Sequence, residues 1–398
     1  MKIAIIVRKL TIKGGTQRQA LYLAKILKER GHDVTLYTFA LDRAACFSDL
    51  LENMPVVVAP VERSSPGLGA LGSFFAELRA AAALAHRIPP DTQILNPQDQ
   101  VSYKVAAYFK KRINPRVPSV WSMNDMPTRY WFYWRENECE PKALPWYKRI
   151  AYKLYDAYDT YRFICPQDVI SVLGERDRGW VREAFRKDAV IIRPGVDVAS
   201  FPYVPRKTIA KDRIRLLMTG IFFSHRRFED GIEAVRSLRK KGCNVSLTIV
   251  GAYTEDNIYY RKMKQLVASN NLEPFVTFAG KITETELTKM YQTHDIFLFP
   301  NHMQSWGLAV FEALASGLPV VISRTAGASE VLRDGETMLV VPPKSPGAIA
   351  EAVETLVRDP ALYERLSRQG RVFLDTELSW TSYADAMEAC FTSVVQTP

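Results

Sequence analysis

The segment PNHMQSWGLAVFEALASGLPVVI, residues 300–322, sets a glycine and a carboxylate at a spacing suited to phosphate and sugar chemistry. It reads as a strand end, a short polar loop, a helix that begins near Gly307 and ends by Gly317, and a new strand opened by Pro319. A helix N-terminus offers backbone N–H groups and the positive end of a dipole, which together make a place for a phosphate. Gly307 lets a ligand approach the backbone closely, and Leu308 follows it into the helix. Glu312, about one and a half turns inside that helix, carries a carboxylate able to accept two hydrogen bonds from a ribose diol. A second segment, TGIFFSHRRFEDGI at residues 219–232, begins with Gly220 directly after a predicted strand. Arg226 and Arg227 at this strand-to-helix turn can clamp a diphosphate and stabilise the charge it gains on leaving. The same arginines can instead cap preceding carbonyls or pair with Glu229 and Asp230. In KGGTQR, residues 13–18, Gly14 and Gly15 permit close backbone approach to a ligand, and Arg18 points toward phosphate from one turn later.

Residues 304–320, QSWGLAVFEALASGLPV, resemble the pattern E-x-F-G-L-x-x-x-E-A-x-A-x-G-x-P-V. That pattern belongs to the retaining glycosyltransferase family that contains glycogen synthases, sucrose synthases and bacterial mannosyltransferases. The resemblance implies that Glu312 binds the ribose and that the backbone at Gly307 and Leu308 meets the diphosphate and sugar. Gln304 stands where the family has an acidic residue that contacts the donor hexose, so an acceptor is kept and a donor added. The loop after Gly220 is similar to G-R-x-x-x-x-K-G, with Ile221 in the arginine place and Arg226 or Arg227 in the lysine place. Residues 13–18 resemble the family's G-G-x-x-R element, with Gly15 and Arg18 on the donor. Many relatives carry an acceptor-positioning histidine where this chain has SMNDMP, residues 122–127. Asn124 is the candidate for that role, and with Asp125 it also forms an ordinary turn pair. The resemblance further implies retention at the anomeric carbon, with the leaving phosphate taking the acceptor's proton.

These residues need strand ends and helix starts to hold them. The first half of the chain alternates strands expected at 2–7, 33–38, 56–61, 93–95 and 119–122 with helices, the clearest spanning 16–30 and stopped by Gly31. The second half repeats the alternation, with strands expected at 215–219, 245–250, 275–279, 295–299, 319–322 and 338–341. The fold class is α/β. With the resemblance it becomes the GT-B arrangement, two Rossmann-like doubly wound domains facing across a cleft. Residues 1–192 form the expected acceptor-binding domain, 193–212 a linker holding several prolines, and 213–379 the nucleotide-sugar domain. The last amphipathic segment, 380–395, is expected to return to the first domain.

Other features narrow the function class. GLGALG at residues 67–72 matches the dinucleotide fingerprint by letter, but it follows the third predicted strand instead of the first, which argues against a nicotinamide-dependent oxidoreductase. No D-x-D occurs, so no metal is expected to handle the phosphates, and no cofactor is implied beyond the donor. The five cysteines are widely spaced and read as buried free thiols. The opening strand is too short for a secretory h-region and no apolar run is long enough to span a bilayer, so a cytoplasmic protein is expected. Between Lys104 and Lys153, eleven Lys and Arg face four Asp and Glu. That excess overlaps a run of Trp and Tyr that includes Trp121, Trp131, Trp146, Tyr147, Tyr158 and Tyr161. Cations among amphipathic aromatics suit an anionic membrane surface, and hence a peripheral location with a glycan or lipid-linked acceptor. They equally suit a helical hairpin with solvated charges. Nucleic acid is not expected, since no recognition motif is present. Gln304, Ile221 and Asn124 leave open a sugar-nucleotide-binding protein without catalysis.

Overall fold

A computed structural model of the chain describes residues 1–59, 69–139, 144–303 and 306–396. The strands are β1 (Lys2–Val7), β2 (Asp33–Thr38), β3 (Val56–Val58), β4 (Ile94–Pro97), β5 (Val120–Ser122), β6 (Val169–Val172), β7 (Val190–Ile191), β8 (Ile214–Thr219), β9 (Val245–Val250), β10 (Val276–Gly280), β11 (Ile296–Phe299), β12 (Val320–Ser323) and β13 (Leu339–Val341). Their ladders are parallel throughout. The chain divides into two compact units: Met1–Phe132 with Leu144–Gly195 and Trp380–Pro398, and Tyr133–Ala143 with Val196–Ser379.

The second unit holds one six-stranded sheet in the order β10-β9-β8-β11-β12-β13. Helices cover both faces, so its strands are apolar runs without strict alternation. The helix Phe228–Lys240 buries Phe228, Ile232, Val235 and Leu238, the spacing of one helical face, against Leu216, Met218 and Ile249. Full burial of each such side chain contributes about 2 kcal/mol. Chain direction across the sheet reverses between β8 and β11, which pair only over Ile296↔Leu216 and Phe297↔Leu217. The carboxyl ends of these two strands flank the switch point, where open α/β sheets bind ligands.

In the first unit the orders are β3-β2-β1-β4 and β5-β6-β7, joined by the bridge Leu95↔Ser119. The helix Gly15–Glu29 follows β1 and buries Ala20, Leu23, Ala24 and Leu27. The last helix, Trp380–Gln396, packs on it: Trp380 stacks on Tyr22 at 4.3 Å, and Gln19 Nε2 donates to the buried Tyr383 hydroxyl at 2.8 Å.

Several boundaries differ from the sequence expectations. β6 and β7 were not anticipated, because runs of four and two residues carry no readable period. The third strand ends at Val58, and residues 60 and 61 lie outside the described residues. The stretch 193–212 does not stand apart as a linker. From Val196 onward it belongs to the second unit, where Phe201 meets Tyr291 edge-on at 5.9 Å and Val204 N donates to Ser316 O at 3.2 Å. Gly67 and Leu68 lie outside the described residues, while 69–72 open the helix Gly69–Ala85 after β3, not the turn after β1. Cys46 is buried and Cys243 and Cys390 are half-buried, but Cys165 is exposed, contrary to expectation; the Cys139 side chain falls outside those described.

Two glycines separate packing from propensity. Gly179 sits exposed inside the helix Glu175–Phe185, and a Cβ there would meet nothing within 4 Å, so Gly179→Ala is expected to stabilise by about 1 kcal/mol in urea unfolding. A Cβ on Gly251 would lie 1.8 Å from the Gly220 carbonyl oxygen, so Gly251→Ala is expected to cost about 3 kcal/mol in the same measurement.

Candidate functional site

In the second unit the site grows from strand ends that stop in glycine. β8 runs into Gly220 and β9 into Gly251, and the missing Cβ of Gly251 lets its backbone touch the Gly220 carbonyl. Gly220 N donates to Val250 O at 2.9 Å and Gly251 N to Gly280 O at 3.0 Å. Gly220 is also the floor for Arg226, whose Cδ would lie 3.1 Å from a Cβ there. After Gly220 the chain makes a short 3-10 turn, Ser224–Arg226, and enters the helix Phe228–Lys240.

Asn301, buried just beyond β11, ties that turn to the neighbouring strand end. With its amide oriented to satisfy both groups, its oxygen accepts from Arg226 Nη1 at 2.8 Å and its nitrogen donates to Arg226 O at 3.2 Å. His302 N donates to His225 O at 2.7 Å, a second stitch between the same loops. Ala328 N donates to Trp306 O at 2.9 Å, which adds the loop after β12. The guanidinium of Arg226 is therefore held over Gly220 beside the switch point between β8 and β11.

Gly307 closes the loop after β11 and caps the helix Leu308–Ala315 with φ +101°, a left-handed conformation that favours glycine. A Cβ there would also strike Phe299 Cε1 at 2.8 Å, so the helix start rests directly on the ring. In the first turn Val310 N donates to Gly307 O at 2.9 Å, while the N–H groups of Leu308 and Ala309 open toward the helix end. Glu312 is half-buried one turn on, and its Oε2 accepts from the fully buried Tyr291 hydroxyl at 3.1 Å. Tyr291 is fixed by edge-on contacts with Phe201 and Phe297. Gln304 lies outside the described residues.

Arg227 takes a different part. In a left-handed conformation (φ 56°) it turns back onto its own helix, donating to Asp230 at 3.0 and 2.6 Å and pairing with Glu229 at 2.7 Å. The hydroxyl of Tyr259 also donates to Glu229. Burial raises the pKa of both carboxyls, opposed by the charge of Arg227. Burial lowers the pKa of Arg227, but its hydrogen bond to Asp230 and the two carboxylate charges outweigh that and raise it. The arginine pair thus separates into one side chain beside the switch point and one committed to an internal ion cluster.

The first unit carries its own candidate loop. Gly14 caps the helix Gly15–Glu29, and the Arg18 guanidinium lies over the Phe47 ring at 5.1 Å. Asn124, just past β5, donates to Gln98 O at 2.8 Å and to Thr16 Oγ at 3.4 Å, so it is placed beside the Gly14–Gly15 turn. Asp125 accepts from the adjacent Met126 N at 3.0 Å, as a turn residue does. Among the described residues no cluster of three His, Cys, Asp or Glu is arranged to hold a metal ion.

Sequence reasoning did not single out Asn301, His302 or Tyr291. Asn301 and His302 had a positional signal, as polar residues immediately after an apolar strand. Tyr291 had none, since it meets Glu312 from a different helix.

Both halves of the chain are similar to known glycosyltransferases. Residues 203–373 match the family model "Glycosyl transferases group 1", and residues 13–200 match "Glycosyltransferase Family 4". A glycogen synthase of Mycobacterium tuberculosis is 29% identical over 202 residues, covering 50% of this chain and 47% of that protein. A phosphatidyl-myo-inositol mannosyltransferase of Mycobacterium leprae is 29% identical over 201 residues, 48% of this chain and 50% of its own. The matches thus span about half the length of these relatives. Among solved structures, sucrose-phosphate synthase from Thermosynechococcus elongatus superposes with a TM-score of 0.77 at 19% identity, covering 100% of this chain and 99% of its own. Anabaena HepE, solved in complex with UDP and glucose, gives 0.73 at 16% identity over 99% and 100% of the two chains. The architecture is GT-B, with two Rossmann-like domains.

The two arginines separate by experiment. Arg227→Ala leaves Glu229 and Asp230 buried without their cation and is expected to lower unfolding stability by about 3 kcal/mol. Arg226→Ala breaks one hydrogen bond to the buried Asn301 amide and is expected to cost about 1–2 kcal/mol, less than Arg227→Ala. Equal losses in urea unfolding would contradict this division of roles.

Proposed function

Because the chain belongs to the glycosyltransferase group 1 family, we propose that it moves a hexose from a nucleoside-diphosphate sugar to an acceptor hydroxyl, with retention and without a metal ion. The observation that carries the reading is the Arg226 guanidinium clasped by Asn301 at the switch point, in the same unit as the Gly307-capped helix. The HepE complexes with UDP and with UDP-glucose support a nucleotide-sugar donor.

In this mechanism the N–H groups at the start of the helix Leu308–Ala315 donate to the diphosphate oxygens and offset their charge. Glu312 takes the ribose diol, its rotation already restricted by Tyr291. As the bond from the anomeric carbon to the phosphate oxygen breaks, the sugar gains oxocarbenium character and the diphosphate gains negative charge. Arg226, fixed beforehand, stabilises that charge without reorganising. The acceptor oxygen bonds to the anomeric carbon on the face the phosphate leaves, and its proton passes to the departing phosphate oxygen. Gly15, Arg18 and Asn124, in the first unit, serve the acceptor side and the phosphate. A lipid-linked or cell-envelope glycan is the acceptor class we favour, and the cytoplasm the compartment. Among the described residues no helix is long and apolar enough to cross a membrane.

Thermal-shift measurements against UDP-, GDP- and ADP-sugars are expected to single out one donor. With that donor, Arg226→Ala is expected to lower kcat/KM by about 10²- to 10³-fold, and Glu312→Ala to raise KM by about tenfold or more. Donor binding with no turnover on any acceptor tried would mean a catalytically inactive sugar-nucleotide-binding protein. Donor binding unchanged in both variants would remove the site from the residues named here.

A further inference from the structure

The helix Trp146–Asp159 exposes large apolar side chains that a surface helix ordinarily buries. Its buried residue is Asp159, and its half-buried Asp156 accepts the backbone N–H groups of Arg129 and Tyr130 at 2.9 Å each. Lys104, only 2% exposed, pairs with Asp159 at 3.0 Å and with Glu77 at 2.6 Å, while the Tyr103 hydroxyl donates to Asp159. A buried ion cluster of this kind fixes orientation more than it stabilises. It holds Asp159 inward, as the two backbone N–H groups hold Asp156.

The opposite face carries Trp146 (73% exposed), Tyr147, Ile150, Leu154 (67% exposed) and Tyr158, with Tyr161 (81% exposed) in the next turn. At about 100° per residue the five helical side chains fall within an arc of about 120°. Arg149 and Lys153, both exposed, border one edge of that arc, and exposed Lys148 lies beyond the other. The aromatics of the basic stretch therefore divide: Trp121 and Trp131 are core residues, and this subset faces out.

We propose that this face docks on an anionic lipid bilayer, the helix lying in the interfacial plane with its rings at headgroup level and its cations on lipid phosphates. Charge selects the occupant. Two copies packed face to face would bring their bordering cations together, whereas an anionic leaflet attracts each of them. The proposal adds a surface in the first unit and does not rest on the donor site.

Sedimentation with vesicles tests it, using the full chain without donor or acceptor. The vesicles are phosphatidylcholine alone and phosphatidylcholine with about one third phosphatidylglycerol, at low and high salt. The expected result is co-sedimentation with the anionic vesicles, weakened about fivefold by Lys148→Ala and at least about tenfold by Leu154→Glu, and lost at high salt. Both substitutions fall on exposed positions, and an unchanged thermal unfolding midpoint checks that each variant is folded. No sedimentation with either vesicle, equal sedimentation with both, or binding indifferent to Leu154→Glu overturns the proposal. A mass that doubles with concentration and reverts in Leu154→Glu assigns the face to a second copy, which also overturns it. Each of these failures leaves the transfer chemistry of the other unit untouched.

Discussion

The proposed donor site depends on one clasp, the buried Asn301 amide that holds both the backbone carbonyl and the guanidinium of Arg226. A 3-10 turn of three residues has little structure of its own to fix an arginine. The amide supplies what the turn lacks, and it can do so only because β11 is the neighbour of β8 in the sheet. A hydrogen bond to a charged group contributes about 1.5–3 kcal/mol, enough to hold one rotamer against solvent. The sheet order is in this sense what places Arg226. Glycine serves the same end: a side chain at Gly251 would push two strand ends apart, and one at Gly220 would crowd Arg226.

A parallel division of labour holds in the first unit. Asn124 reaches Thr16 and the Gln98 carbonyl, and Gln98 is itself embedded in buried polar contacts, its Nε2 donating to Asn96 at 2.5 Å. Asn96 in turn donates to the Val120 carbonyl at 2.6 Å. These groups lie at the carboxyl ends of β4 and β5, so the residue beside the glycine turn is positioned by the sheet and not by its own flexible loop. Buried polar contacts of this kind specify geometry, and each would be costly if one partner were lost.

What could be read in the chain beforehand follows from the range of the forces involved. The helix after Gly307, the placement of Glu312 within it and the parallel sheet of the second unit depend on local period and on glycine, and all are visible in short windows of sequence. The fate of the arginine pair was not. Arg226 and Arg227 are adjacent and chemically identical, yet a left-handed φ at Arg227 turns one toward Glu229 and Asp230 while Asn301, on a different strand end, claims the other. Neither the backbone conformation nor the distant partner leaves a local pattern. The short strands β6 and β7 were missed for a similar reason, being held by neighbours in the sheet and not by propensity. Charge and aromatic content marked the basic stretch, but only the inward ion cluster at Lys104 shows which rings face out.

The central claim is that Arg226 acts through the position Asn301 imposes on it. The most direct measurement is a double-mutant cycle on donor affinity by calorimetry, with Asn301→Ala, Arg226→Ala and the two combined. If the clasp sets the guanidinium, Asn301→Ala alone weakens the donor nearly as much as Arg226→Ala and the combined variant is little worse. Donor affinity untouched by Asn301→Ala, or two losses that simply add, would contradict it.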